Sequence, residues 1–388
     1  MNTHPENYWR RGRQVPYFQA STNVNPKFNF DTIAGRCTVL MFYGSLEIQK
    51  NREVLQSIFT DLRQIFDDRQ AIFFGVCVDP KDPERGVVDS IPGIRFFWDY
   101  DLRVSKLYGA TTPEQKPITE GPLGFRSFTL VLDSRLRVWE YIPIDPAERH
   151  TQNLRESIQS LLEEEAAAKE TTNAPVLIVP NVFPRPFCRQ LISLYETNGG
   201  SVSGTMTVKD GKTVGKIDRS FKRRLDYDIA DPGVVQEFRS YLIDNLFPQI
   251  RKALNFQPTH IERYIVACYD GNDSGFFSPH RDNTTPGTAH RRFACTINLN
   301  AEDYTGGDLR FPEYSTKTYR APTGGAVIFS GSILHEALPV TSGQRYATLP
   351  FIHDDAAEII RVQNVANISD EIIRIDDGQM ANAESSVL

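Results

Sequence analysis

Two histidines and an aspartate stand out as residues whose types and spacing can do chemistry. His280 and Asp282 lie in Ser278-Pro279-His280-Arg281-Asp282-Asn283, and His335 follows far along the chain. In an extended strand, residues two apart point to the same side, so His280 and Asp282 can aim at one ion while Arg281 faces away. His335 closes an apolar run, Val327 to Glu336, that reads as a buried strand. Two imidazoles and one carboxylate on one face of a metal suit Fe(II) and leave the opposite face open for O2 chemistry. No cysteine stands nearby to close a structural zinc site. Arg345, in Gly343-Gln344-Arg345-Tyr346-Ala347, offers a planar fork that can hold a carboxylate at the inner end of a pocket, as a dicarboxylate co-substrate requires.

An isolated H-x-D pair is a weak signal, and its context gives it weight. Arg263 to Tyr269 is an apolar strand-like run, followed by the turn-forming Asp270-Gly271-Asn272-Asp273-Ser274-Gly275. Downstream come Phe293 to Asn300, Tyr304 to Pro312 and Ala321 to Val327, short strand candidates separated by Gly, Pro and Asp turns. That arrangement predicts a double-stranded β-helix, or jelly roll, with supporting helices.

The segment from Pro175 to Asp354 resembles the prolyl 4-hydroxylase-like branch of the Fe(II)- and 2-oxoglutarate-dependent dioxygenases. The resemblance rests on Ala267-Cys268-Tyr269, His280-Arg281-Asp282-Asn283, Asn298-Leu299-Asn300, Thr305-Gly306-Gly307-Asp308-Leu309-Arg310-Phe311, and His335 followed by Pro339 to Tyr346. It implies that His280, Asp282 and His335 are the iron ligands and that Arg345 pairs with the distal carboxylate of 2-oxoglutarate. It implies further that Tyr269 donates a hydroxyl to the same co-substrate. Asn298 would be a third contact, although oxygen-sensing prolyl hydroxylases carry a tyrosine there. The implied reaction consumes O2 and 2-oxoglutarate, releases succinate and carbon dioxide, and hydroxylates an unactivated C–H bond, with ascorbate as a reductant. The implied substrate is a peptidyl prolyl or other amino-acid side chain, on a protein, a peptide or a small amino-acid-like molecule.

Ser201 to Asp226, with its glycines and the basic residues Lys216, Arg219, Lys222, Arg223 and Arg224, reads either as a mobile loop that closes over the iron or as a solvated basic loop. Arg223 and Arg224, and likewise Arg291 and Arg292, are candidate substrate contacts. His290 reads as a solvated loop histidine, because the ligand triad is complete without it.

The amino-terminal half has a different pattern. Cys37 to Tyr43, Ala71 to Asp79 and Phe128 to Asp133 are buried-type strand runs, with helical segments such as Glu53 to Phe66 between them, which describes an α/β layer. It resembles the peroxiredoxin branch of the thioredoxin fold in Gly12 to Phe18, Asp99 to Gly109 and Arg126-Ser127-Phe128-Thr129. The loop Gly44 to Asn51, where that family places its peroxidatic cysteine, contains no thiol. Cys37 and Cys77 read as buried packing residues. The expectation is a redoxin scaffold without peroxidase chemistry, serving docking, homodimerisation or substrate presentation, with Arg126 a structural residue.

The chain of 388 residues exceeds what one core usually fills. The expected division is a thioredoxin-like domain over 1–168, ending in a helix from Pro146 to Ala168. A linker over 169–175, an oxygenase domain over 176–360 and a loosely held polar tail over 361–388 follow. Five cysteines at scattered spacing give no disulfide framework. No apolar leader or membrane-spanning run appears, so the expected location is cytoplasmic. A formal net charge of −6 and a pI near 5.7 argue against general polyanion binding, and hence against a nucleic-acid partner. Two function classes remain: an oxygenase, or a non-catalytic binding or redox-sensing module whose redoxin half recruits a partner.

Overall fold

The computed structural model describes residues 8–144, 147–169 and 171–375. The expected helix start at Pro146, linker residue Glu170 and tail beyond residue 375 lie outside the described residues. The chain falls into two compact units that part between Thr172 and Asn173. Among the described residues no helix is long and apolar enough to cross a membrane.

The first unit is built on a five-stranded sheet whose order is Ile94–Trp98, Ala71–Cys77, Cys37–Gly44, Phe128–Leu132 and Val138–Pro143. The first three strands run parallel, and the last two continue the sheet antiparallel. Strands buried on both faces read as unbroken apolar runs, which is why Cys37–Gly44 and Ala71–Cys77 are buried along their whole length. The helix Gln49–Asp61 packs Val54, Leu55 and Ile58 into the same core as Leu154, Ile158 and Leu161 of the helix Ala147–Lys169. The first of these helices begins one turn before the expected Glu53, and the residues after it form only a short 3-10 turn at Arg63–Ile65.

The second unit is a jelly-roll-like pair of antiparallel sheets. The smaller has the order Lys222–Arg223, Phe276–His280, His335–Ala337, Leu309–Arg310, Thr318–Tyr319. The larger has Phe293–Asn298, Gln344–Thr348 and Ile265–Asp270 at its centre. Alternation along these central strands divides their side chains between two faces. Cys295, Ile297, Tyr346, Val266 and Cys268 join the core formed with the helices Arg185–Asn198, Pro232–Tyr241 and Phe247–Leu254. Ala267 and Tyr269 meet Ala337 and Phe277 of the smaller sheet instead. The space between the sheets therefore receives the other half of each strand, Arg345 and Asn298 included.

Two sequence expectations are corrected here. Ser201–Asp226 is not a loop: Thr205–Lys209 and Lys212–Ile217 form a hairpin, turned by Asp210 and Gly211, both at positive φ. The Asp-Gly pair suits a tight hairpin turn of this hand. The segment after residue 360 is not a loose tail up to residue 375: the helix Asp355–Asn364 runs past the expected boundary, and Ile368–Arg374 adds a parallel third strand to that hairpin.

Candidate metal and co-substrate site

His280 ends the strand Phe276–His280 and pairs in register with His335, the first residue of the neighbouring strand. The expected long strand through His335 is two elements, Ala326–Ser330 and His335–Ala337, separated by a turn. Asp282 lies in the bend just beyond its strand, where its backbone N–H donates to Gly331 O at 2.9 Å. One Asp282 oxygen is 3.7 Å from His280 Nε2 and the other 3.3 Å from His335 Nε2. One ligand atom from each of the three residues lies within 4.8 Å of the others, and among the described residues this is the one such cluster.

The surroundings orient these ligands. His280 Nδ1 is 2.7 Å from Ser278 O and His335 Nδ1 is 2.9 Å from Ile333 O. A carbonyl can only accept, so each Nδ1 carries the proton and each Nε2 presents a lone pair toward Asp282. Burial, with His335 alongside, holds the His280 pKa well below the usual histidine value, which keeps the ring neutral as a metal ligand must be. Phe277 stacks on His280 at 3.4 Å and Phe329 lies 4.5 Å from His335, centroid to centroid, so the rings have little freedom to turn. Three nitrogen and oxygen ligands with no thiolate fit a divalent iron with open positions.

Arg345 lies across from Tyr269 on adjacent strands, its guanidinium 4.8 Å from that ring. It is 2% exposed, and neither its Nε nor its Nη1 has a hydrogen-bond partner. A buried charged donor without an acceptor is costly. A bound carboxylate would supply the missing acceptor, so the residues present fit an acidic co-substrate. Tyr269 is buried and its hydroxyl accepts from Arg224 Nη1 at 3.3 Å.

Asn298 faces the same space but is engaged locally. Its Nδ2 donates to Ala321 O at 2.7 Å, and its Oδ1 accepts from the Tyr304 hydroxyl at 3.4 Å. Tyr304 opens one of the expected short strands but carried no expected role at the site. It is buried, in one apolar cluster with Tyr269, and a Cβ on Gly307 would touch both Arg345 Cδ and the Tyr304 ring. The Tyr304 ring therefore lies close to the Arg345 side chain, and its buried hydroxyl has one long contact.

Of the four candidate substrate arginines, two reach the site. Arg224 is buried in a two-point pair with Asp226, at 2.7 and 2.6 Å. Arg291 bonds Glu262 through Nε and Nη2, and its Nη1 lies 3.5 Å from Asp282 O. Arg223 instead donates to Arg219 O and Asp273 O, and Arg292 is half-exposed, 3.9 Å from Asp354. His290 is not solvated as expected: it is buried, with Nε2 2.7 Å from Glu262. Lys222, one of the basic residues expected in the loop over the iron and offered there to an acidic group of a substrate, packs on Phe277 next to His280, and Arg263, which was unforeseen, lies near Lys222. Lys222 is 5% exposed, donates to Ser203 Oγ and Gly204 O, and lies 4.6 Å from the centre of the Phe277 ring.

In the first unit, Cys37 and Cys77 are fully buried, and burial pushes the Cys77 thiol up to about 12 and the Cys37 thiol higher still. Ser45, in the thiol-free loop, is buried and donates to Asp79 at 2.7 Å. Arg126 is exposed.

Residues 264–353 match the family model of the 2OG-Fe(II) oxygenase superfamily, whose members use Fe(II), 2-oxoglutarate and O2. The chain is 28% identical over 178 residues to procollagen-lysine,2-oxoglutarate 5-dioxygenase 1 of Gallus gallus, covering 44% of this chain and 23% of that protein. It is 30% identical over 135 residues to a PKHD-type hydroxylase of Pseudomonas putida, covering 32% of this chain and 59% of the relative. These matches span less than two thirds of the relatives' own lengths. Among solved structures, a prolyl hydroxylase from Trichoplax adhaerens, in complex with a hypoxia inducible factor peptide fragment, aligns with 55% of this chain and 94% of its own. The TM-score is 0.37 and the identity 18%.

Proposed function

We propose, from the premise that the carboxy-terminal half of this chain is a 2OG-Fe(II) oxygenase domain of the prolyl hydroxylase-like type, that the protein hydroxylates a prolyl or other amino-acid side chain. His280, Asp282 and His335 would hold Fe(II), and Arg345 with Tyr269 would hold 2-oxoglutarate. When bound, the metal and co-substrate supply O2 activation coupled to decarboxylation of 2-oxoglutarate to succinate and carbon dioxide, with one oxygen atom entering a C–H bond. The chain's own part is to fix the ligand rings through the Ser278 and Ile333 carbonyls, to neutralise a carboxylate at Arg345, and to exclude water with Phe277, Phe329 and Phe311.

The observation that carries this reading is the Arg345 guanidinium, buried and unpaired within the sheet pair that also bears the three ligands. A binding module with a vestigial metal site has no use for that uncompensated charge. A peptidyl substrate is supported by the names of the relatives, one acting on procollagen lysine and one solved with a peptide. We read the first unit as a thioredoxin-like, peroxiredoxin-derived scaffold, supported by its three parallel and two antiparallel strands around a thiol-free loop. Its role would be docking, homodimerisation or substrate presentation. A cytoplasmic location and the use of ascorbate belong to the same proposal, and five free, buried cysteines suit a reducing compartment.

The test is to load the protein with Fe(II) and 2-oxoglutarate without oxygen, admit oxygen, and measure succinate with a panel of prolyl and lysyl peptides, free amino acids and cell lysate. Succinate release with gain of one oxygen atom in a panel member is expected. No succinate under any condition overturns the reading.

A further inference from the structure

We propose that Lys222 and Arg263 form a seat for an anionic group of the substrate, a carboxylate, beside the metal ligands. This rests on the oxygenase reading above. Around the triad, Glu262 is matched by Arg291 and Asp226 by Arg224; with both ligands bound, the distal carboxylate of 2-oxoglutarate would match Arg345, and Asp282 with the other carboxylate would match Fe(II). Lys222 and Arg263 are left over: among the described residues neither has a carboxylate within ion-pair distance. Buried cations are normally paired.

The geometry of the two residues agrees. Arg263 sits at φ 73°, a conformation that a non-glycine residue adopts only under constraint and that often marks a functional position. Its guanidinium lies 4.8 Å from the centre of the Phe351 ring and donates from Nη2 to Leu349 O, while Nε is buried without a partner. Lys222 pairs across strands with Phe277, the ring stacked on His280, so its ammonium is one ring away from a metal ligand. Its two hydrogen bonds go to neutral acceptors, Ser203 Oγ and Gly204 O. Burial, reinforced by Arg224 and only partly offset by Asp226, drives the Lys222 pKa well down and that of Arg263 to about 10. The carboxylate could be the α-carboxylate of a free amino acid or an acidic side chain in a peptide.

The test is calorimetric titration of the full chain, loaded with Fe(II) and 2-oxoglutarate and kept free of oxygen. Acetate against acetamide is the minimal probe. N-acetyl-proline against its methylamide, and an N-acetyl-aspartyl-proline amide against its asparaginyl counterpart, distinguish the two sources. Acetate should bind about tenfold tighter than acetamide, Lys222→Gln should remove that preference, and Lys222→Arg should retain it. Near-ultraviolet circular dichroism shows that each variant is folded, and Arg263→Gln gives a second neutral variant. Equal or absent binding of acetate and acetamide by the wild type overturns the seat, as does a preference that survives both neutral substitutions. Failure of the oxygenase reading would show earlier and separately, as failure of the wild type to take up Fe(II) and 2-oxoglutarate.

Discussion

Replacing Arg345 by methionine removes a guanidinium that is 2% exposed and leaves the apolar length of the side chain in place. In the complex with 2-oxoglutarate, Nε and Nη1 would each gain an acceptor that they lack in the free protein. Truncating one partner of a buried, hydrogen-bonded charge pair costs about 2–5 kcal/mol. That corresponds to a loss of roughly thirtyfold to several thousandfold in 2-oxoglutarate affinity. Arg345→Lys keeps the charge but not the two-point geometry and should fall between. Titration of 2-oxoglutarate into the oxygen-free, Fe(II)-loaded protein measures this directly. Oxalate is the control: it chelates a metal but has no distal carboxylate, so its affinity should hold. The free protein offers a second readout, because replacing an uncompensated buried charge by an apolar group of similar size is often neutral or stabilising. Arg345→Met should therefore keep or raise Tm without ligand while losing the co-substrate. An unchanged 2-oxoglutarate affinity would refute the reasoning and show that another basic residue holds that carboxylate.

Tyr304→Phe should weaken 2-oxoglutarate by about 1 kcal/mol, the worth of one hydrogen bond, and leave oxalate binding unaltered; equal weakening of both would mean that Tyr304 only supports the fold. Cys37→Ser with Cys77→Ser should leave 2-oxoglutarate decarboxylation intact, with Tm lowered mainly through Cys37, where a buried hydroxyl costs about 1–3 kcal/mol, since Cys77 already has Asp79 O and Asp82 as acceptors. Thiol-dependent peroxide reduction by the wild type that vanishes in this double variant would show that one of them is catalytic. Acid should destabilise the second unit. Burial alone would raise the Asp226 and Glu262 pKa values, but Arg224, and His290 with Arg291, outweigh it and hold both well below the usual carboxylate range. Depressed folded-state values give stability that is complete above the unfolded value of about 4 and drains away as pH falls below it. Tm measured between pH 7 and 3 should fall most steeply below about pH 4.5, and less steeply in Glu262→Gln; a parallel decline in that variant contradicts the assignment.

His280, Asp282 and His335 were legible as a candidate metal site because their rare chemistry stands at a spacing set by strand geometry, and the fold brings the three together although His335 lies far along the chain. Arg345 was legible for the same reason, as a charge next to apolar strand residues. Arg263 and Tyr304 were not, and Lys222 was visible only as one member of a basic cluster, since nothing local separates a buried lysine or tyrosine from a solvated one. Only the pairing of Lys222 with Phe277, and the packing of Tyr304 near Gly307 and Arg345, reveals where they point. The hairpin over residues 205–217 had a readable signal in its Asp-Gly turn, which the surrounding glycines and basic residues masked. The strand Ile368–Arg374 was hidden by its composition, because an exposed third strand needs backbone pairing more than apolar alternation. Cys37 and Cys77 were read as packing residues from their apolar flanks, and both are fully buried.

The central claim is that His280, Asp282 and His335 together hold one Fe(II). Its most direct test is the iron stoichiometry of the wild type and of His280→Ala, Asp282→Ala and His335→Ala, titrated without oxygen and followed by metal analysis of the folded proteins. One equivalent in the wild type and its loss in each variant is the predicted result. Undiminished iron in the variants would contradict the account.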